Sequence, residues 1–308
     1  MNSKLHDTIF ELEKHNFTDI KLLSRHRLDK HTFSAKWPQN LQDTKVVVKS
    51  YPSDDQNIAR VVDLQNLGSQ YIKAPKILNV LNTDLFTLVV CEYIDGSQLK
   101  STSYLPISNK EIDPLIEYSH RHFRLIDTIP FVGYEKHKVE TNHYIQRMNH
   151  HSQLLQACDK ALNQSLKKIA SYVEKLNLQI NDYRLQHGDF YGSNIILNNI
   201  EESFYLIDWE HARISSKYLD ISTMLAKELA TPDFFVRLYK KIYLELSQNE
   251  RLKFNMFMIS SMVKEYKNLV ELSPTQQRIR HINSYTKLIR NYIISLINNP
   301  RKNFSDLF

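Results

Sequence analysis

The chain has 308 residues, 42% hydrophobic and 24% charged, an ordinary globular composition long enough for one large domain or two smaller ones. It holds five glycines and none in its first 67 residues, which excludes a collagen-like chain and any glycine-rich phosphate loop. The net charge of +6 is uneven, since residues 213–308 carry sixteen Lys and Arg against eight Asp and Glu, and residues 1–212 carry 24 against 26. The basic end reads as a solvated surface or as a surface for an anionic ligand. No nucleic-acid partner is expected, because no aromatic-plus-basic recognition motif accompanies the charge.

In chain order, the first 95 residues read as a helix followed by strands. The β-branched run Lys45-Val46-Val47-Val48-Lys49 predicts a strand, ended by the turn residues Pro52, Ser53, Asp54 and Asp55. Residues 56–67 place Ile58, Val61, Val62 and Leu67 along one helical stripe. A further strand follows Ala74-Pro75, and Phe86–Tyr93 is a third, closed by Ile94-Asp95-Gly96. Beyond Gly96 the pattern is mainly helical. Leu162, Leu166, Ile169, Val173 and Leu176 share one helix face and read as core, and the neighbouring His150 and His151 read as surface residues rather than a metal pair. The expected organisation is a small N-terminal lobe over residues 1–95, a connector near 91–97, and a larger helical lobe over 96–308.

Two cysteines, Cys91 and Cys158, are too few for a disulfide framework and lack metal-ligand spacing. Charged residues interrupt Met1–Leu12, where a signal peptide needs an apolar stretch, and no apolar run approaches the length of a membrane span. A reducing, cytoplasmic setting with no membrane span is expected.

The segment with most chemistry is Gln186-His187-Gly188-Asp189-Phe190-Tyr191-Gly192-Ser193-Asn194, followed by the apolar Ile195-Ile196-Leu197. Asp189 and Asn194 stand five residues apart, and fourteen residues after Asn194 a second aliphatic run ends in Asp208-Trp209-Glu210. Two strands flanking a loop can bring three such oxygen donors to one point. Phosphoryl transfer from ATP needs that set: one carboxylate takes the proton of the attacking hydroxyl, while an amide oxygen and a second carboxylate hold Mg²⁺ on the phosphates. Each residue alone has a plainer reading as a turn, a cap or a strand end. Their joint order and spacing favour the chemistry.

His-Gly-Asp, four residues, Asn, then a hydrophobic strand ending in Asp-Trp-Glu resembles the aminoglycoside phosphotransferase and choline kinase-like family of small-molecule kinases. The resemblance covers most of residues 20–225. It implies an α+β, bilobal protein-kinase-like fold, with a small β-sheet lobe carrying a helix and a larger, mainly helical C-terminal lobe. It also implies Asp189 as catalytic base, Asn194 and Asp208 as Mg²⁺ ligands, and Lys49 as the strand lysine on the α- and β-phosphates. Backbone groups near Glu92 and Ile94 would hold adenine, and Asp220 would brace the catalytic loop.

Two features depart from the kinase pattern. The helix offers Arg60 and Asp63 where a lysine-pairing Glu is usual, and the loop Ser24–Phe33 has no glycine, leaving Ser24, Arg25, Arg27 and backbone amides as phosphate contacts. A protein kinase is disfavoured: Gly188 precedes the base, Trp209-Glu210 follows Asp208, and only eleven residues separate Asp208 from Asp220. The expected function is ATP- and Mg²⁺-dependent phosphorylation of a small-molecule hydroxyl, on an antibiotic, amino sugar, choline-like amine or other metabolite. The alternative is a catalytically inactive kinase-like binding or structural protein. The basic C-terminal region disfavours a polycationic acceptor, with Glu210 and Glu228 as candidate local acids.

Overall fold

In β3 (Gln42–Pro52), side chains alternate between the two faces of a sheet. Val46 and Val48 are fully buried on one face, in a cluster with Phe33, Ala35, Phe86, Leu88 and Val90 and with Leu5 and Leu12 of α1 (Ser3–Lys14). Val47 and Tyr51 pack on the opposite face with Val89, Cys91 and Ile77, together with Ile58 and Val62 of α2 (Ile58–Tyr71). Lys49 falls between Val47 and Tyr51 in this alternation, so the strand sends its ammonium to the α2 face. The remaining strands are β1 (Thr18–Arg25), β2 (His31–Gln39), β4 (Ile77–Asn82) and β5 (Phe86–Glu92). They pair antiparallel throughout in the order β1-β2-β3-β5-β4, with Lys49 opposite Val89 and Thr32.

The computed structural model describes residues 3–25, 30–39, 42–99, 106–139, 146, 149–150, 153, 160, 162–164, 166–167, 182–198, 200–270 and 280–298. The chain divides into two compact units, Met1–Ser97 with Ile196–Ala212, and Gln98–Ile195 with Arg213–Phe308. The later segment of the first unit contains most of β8 (Ile195–Asn198) and all of β9 (Ser203–Leu206), then Asp208 and a single 3-10 turn over Trp209–His211. Together with the short β6 (Ser97–Gln98), these strands form a ladder ordered β6-β8-β9.

The second unit is built on helices α3 (Asn109–Leu125), α4 (Leu219–Lys227), α5 (Pro232–Glu245), α6 (Gln248–Val270) and α7 (Arg280–Asn298). One antiparallel pair, β7 (Tyr183–Gln186) with β10 (Arg213–Ser216), carries the segment 187–194 at its end. Helix α4 is the most enclosed: every residue from Leu219 to Ala226 is buried. It lies against α6, and an aromatic series of Tyr218, Phe235, Tyr239, Phe254 and Tyr292 fills the adjoining core. Proline 232 opens α5 at a position where its missing N–H has no helical partner to lose.

Of the predicted apolar helix face, Leu162 and Leu166 are buried, while Ile169, Val173 and Leu176 lie outside the described residues. His150 is exposed, and His151 and Cys158 lie outside the described residues, as does Arg27 of the glycine-free loop. Among the described residues no helix is long and apolar enough to cross a membrane.

Candidate active site

In the first unit the ammonium of Lys49 lies 2.5 Å from Asp208 Oδ1. Asp208 sits in the left-handed region at φ 66° and ψ 62°, a conformation aspartate tolerates better than most residues and one that collects at functional positions. Trp209 holds that turn in place. It is almost completely buried and its indole N–H donates to the Leu206 carbonyl at 2.9 Å. The indole also requires Gly68 of α2, because a Cβ there would fall 2.2 Å from Trp209 Cη2. Burial works against the Lys49 charge, but Asp208, Tyr51 and Glu210 outweigh it and hold its pKa above the ordinary lysine value.

The sequence offers Arg60 and Asp63 of α2 where a partner for Lys49 is expected. The ion-pair partner observed is Asp208, and Arg60 Nη2 donates to the Glu210 carbonyl at 3.2 Å. Tyr51 donates its hydroxyl to Glu210 Oε1 at 3.2 Å. The segment after Asp208 is thus tied to β3 and to α2 by hydrogen bonds the sequence does not advertise. At the end of β5 the Glu92 N–H donates to the Lys76 carbonyl at 2.9 Å, Glu92 Oε2 receives the Lys76 N–H at 3.3 Å, and Ile94 is buried. Gly96 is required by close approach, since a Cβ would fall 2.2 Å from the Leu197 carbonyl oxygen.

In the second unit the segment after β7 is held by α4 and the residue that follows it. Asp220, fully buried in the first turn of α4, accepts the His187 N–H at 2.8 Å, the Gly188 N–H at 2.7 Å and His122 Nε2 of α3 at 3.1 Å. The Gln186 side-chain oxygen in turn receives the Asp220 N–H at 2.9 Å. Burial raises the Asp220 pKa, and the His122 contact, the His187 charge and the Gly188 N–H outweigh it, so the carboxylate is held below its ordinary value. Gly188 has φ 80°, the left-handed turn that delivers Asp189. Glu228, with no exposed surface, accepts the Gly192 N–H at 3.0 Å. Glu228, which the sequence offers as a local acid for a cationic acceptor, is buried here and holds the loop through Gly192.

Asn194 donates its amide to the Asp189 backbone carbonyl at 2.8 Å and to Asp189 Oδ2 at 3.1 Å. Both acceptors can only accept, so the network assigns the nitrogen to Asp189 and leaves the Asn194 oxygen as the atom able to meet a cation. Asp189 Oδ1 receives Lys227 Nζ at 3.0 Å. Lys227 is the contact sequence reasoning missed, and only the pattern of α4, with Asp220 and Lys227 seven residues apart and so on one face, offered a signal for it.

Among the described residues no three His, Cys, Asp or Glu side chains cluster as metal ligands. Asp208 in the first unit and Asn194 in the second each offer an oxygen donor of the kind a hard cation such as Mg²⁺ takes. Asp189 with Asn194, and Lys49 with Asp208, are each brought together within one unit.

A family model described as the phosphotransferase enzyme family (APH) matches residues 31–252. No curated protein sequence matches the chain. Solved structures do. A thermostable mutant of aminoglycoside phosphotransferase APH(4)-Ia, in the apo form, is 12% identical, with 96% of this chain and 99% of that chain covered and a TM-score of 0.62. The ethanolamine kinase of Plasmodium vivax is 15% identical, with 91% and 84% covered and a TM-score of 0.60. The choline kinase LicA of Streptococcus pneumoniae is 12% identical, with 94% and 99% covered and a TM-score of 0.57. At these identities the likeness is one of fold, and the fold is protein-kinase-like, as the sequence motif implied.

Proposed function

Because the chain belongs to the phosphotransferase enzyme family, and is a small-molecule phosphotransferase by that membership, we propose that it transfers the γ-phosphoryl group of ATP to a hydroxyl of a small molecule. The observation that carries the reading is the Asp189 carboxylate, held at Oδ2 by Asn194 and at Oδ1 by Lys227 on a loop whose backbone N–H groups are bonded to buried carboxylates. A carboxylate held this firmly is suited to orient an acceptor hydroxyl and take its proton. The acceptor oxygen–phosphorus bond forms, the bond from the γ-phosphorus to the bridging oxygen breaks, ADP leaves, and the hydroxyl proton passes to Asp189.

Asp208 and Asn194 would hold Mg²⁺, which supplies charge neutralisation on the phosphates when bound. Lys49 would contact the α- and β-phosphates, exchanging part of its attraction to Asp208 for the nucleotide. Backbone groups at Glu92 and Ile94 would receive adenine. The chain would act in the cytoplasm. Its acceptor is a small-molecule alcohol, drawn from antibiotics, amino sugars, choline-like amines or other metabolites.

The test is an ATP-consumption screen with Mg²⁺ across amino sugars, macrolides, choline and ethanolamine, and simple sugars. The wild-type chain should turn over at least one class, and Asp189→Asn should lose most of that turnover. A chain that binds no ATP and consumes none with any acceptor is a kinase-like binding protein, and the proposal falls.

A further inference from the structure

Lys227 is the last residue of α4, and its ammonium meets three features at once. Its Nζ lies 3.0 Å from Asp189 Oδ1 and 3.5 Å from the centre of the Tyr191 ring, and its side chain is only 13% exposed. The negative end of the α4 dipole also favours a cation at this position. Burial disfavours the charge, but Asp189, Tyr191 and Glu265 outweigh it, so the ammonium stays charged.

A buried ion pair is a weak source of stability, since desolvation offsets most of the attraction between its members. A long apolar side chain at the end of α4 would fill the same space. The pair is better explained by what it does to Asp189. A carboxylate in a loop can rotate about its side-chain torsions. Asn194 restrains one oxygen, which still permits the other to swing, and Lys227 restrains that second oxygen. With both oxygens engaged, one orientation is favoured over the others. The Tyr191 ring under the ammonium fixes the lysine in its turn.

We propose that Lys227 is a positioning residue for the reaction, locking the rotamer of Asp189 from α4 so that the carboxylate is aligned before the acceptor arrives. This rests on the phosphotransferase reading above. The same helix then controls the segment at three points: Asp220 at His187 and Gly188, Lys227 at Asp189, and, one residue past its end, Glu228 at Gly192.

The experiment measures kcat and the KM for ATP, with Mg²⁺ and the best acceptor from the screen, in Lys227→Met, Lys227→Gln and Lys227→Arg, each alone and in an Asp189→Asn background. Lys227→Met should lower kcat by about 10- to 100-fold, the range expected when a reacting group is misaligned, with the KM for ATP changed by less than about threefold. Lys227→Arg should recover most of kcat because it restores a cation at Oδ1. In the Asp189→Asn background, Lys227→Met should add no loss beyond about twofold, because its effect passes through the missing carboxylate. If Lys227→Met folds poorly, Lys227→Gln carries the same comparison with a neutral donor of shorter reach.

A wild-type chain that transfers phosphate while Lys227→Met and Lys227→Gln keep kcat within about twofold overturns the positioning role and leaves the phosphotransferase reading intact. An equal loss with and without Asp189 also overturns it. A wild-type chain that transfers no phosphate defeats the phosphotransferase reading itself, and the role of Lys227 falls with it.

Discussion

The two regions to which the proposed reaction assigns its chemistry are stabilised in different ways. Asp208, in the first unit, is paired with Lys49 and sits on a left-handed turn wedged by Trp209 against Gly68. Asp189, in the second, lies in a segment whose backbone N–H groups are bonded to the buried carboxylates Asp220 and Glu228, and both of its own oxygens are engaged. In the proposed reaction, Lys49 and Asp208 must each turn from one another to the nucleotide and its cation. Asp189 keeps its protein partners throughout. One region is built for exchange of partners and the other for constancy, and the difference matches a binding task set against a reacting one.

The largest effect that sharpens this contrast is on turnover. Asp189→Asn should lower kcat by about 100- to 10,000-fold, the usual range for loss of a general base, and rapid-quench or coupled ADP assays read it directly. A change of less than tenfold would remove Asp189 from the reaction. Next is stability in the second unit. Asp220→Ala strands two backbone N–H groups and His122, and should cost about 3–5 kcal/mol in urea unfolding. An effect below about 1 kcal/mol would mean that the loop is held by something else.

The pH dependence should separate the regions further. Asp220 has a folded pKa below its ordinary 3.8, so its stabilisation is present above that value and is lost as pH falls below it. Lys49 has a folded pKa above its ordinary 10.5, so its stabilisation is full below that value and declines as pH rises beyond it. Thermal unfolding across pH should therefore show an acid loss that flattens in Asp220→Asn and an alkaline loss that flattens in Lys49→Met. The smallest effect belongs to the wedge: Gly68→Ala should cost about 1–3 kcal/mol, because the rigid indole of Trp209 has to move. A neutral result there would show that α2 yields more easily than the packing implies.

Much of this was legible beforehand in the residues. The β-branched run 45–49 is a strand, Phe86–Glu92 is another, and the stripe from Ile58 became α2, because period and burial agree in each. The spacing of Asp189, Asn194 and Asp208 is the basis of the proposed oxygen-ligand chemistry, which the measurements above and below test. What stayed hidden depends on contacts distant in sequence. Nothing near Lys49 says that Asp208, 159 residues away, is its partner, or that Arg60 turns to a backbone carbonyl. Lys227, 38 residues from Asp189, looks like an ordinary helix-end lysine until the fold places it. Glycine shows the same limit: Gly188 does need a left-handed backbone, but Gly96 and Gly68 are demanded by a carbonyl and an indole.

Equilibrium affinity for Mg²⁺–ATP, measured by titration calorimetry in Asp189→Asn and Asp208→Ala beside the wild type, tests the division of tasks most directly. The account predicts affinity within about threefold of wild type for Asp189→Asn and a loss of tenfold or more for Asp208→Ala. Equal affinities in all three chains, or a loss confined to Asp189→Asn, would contradict it.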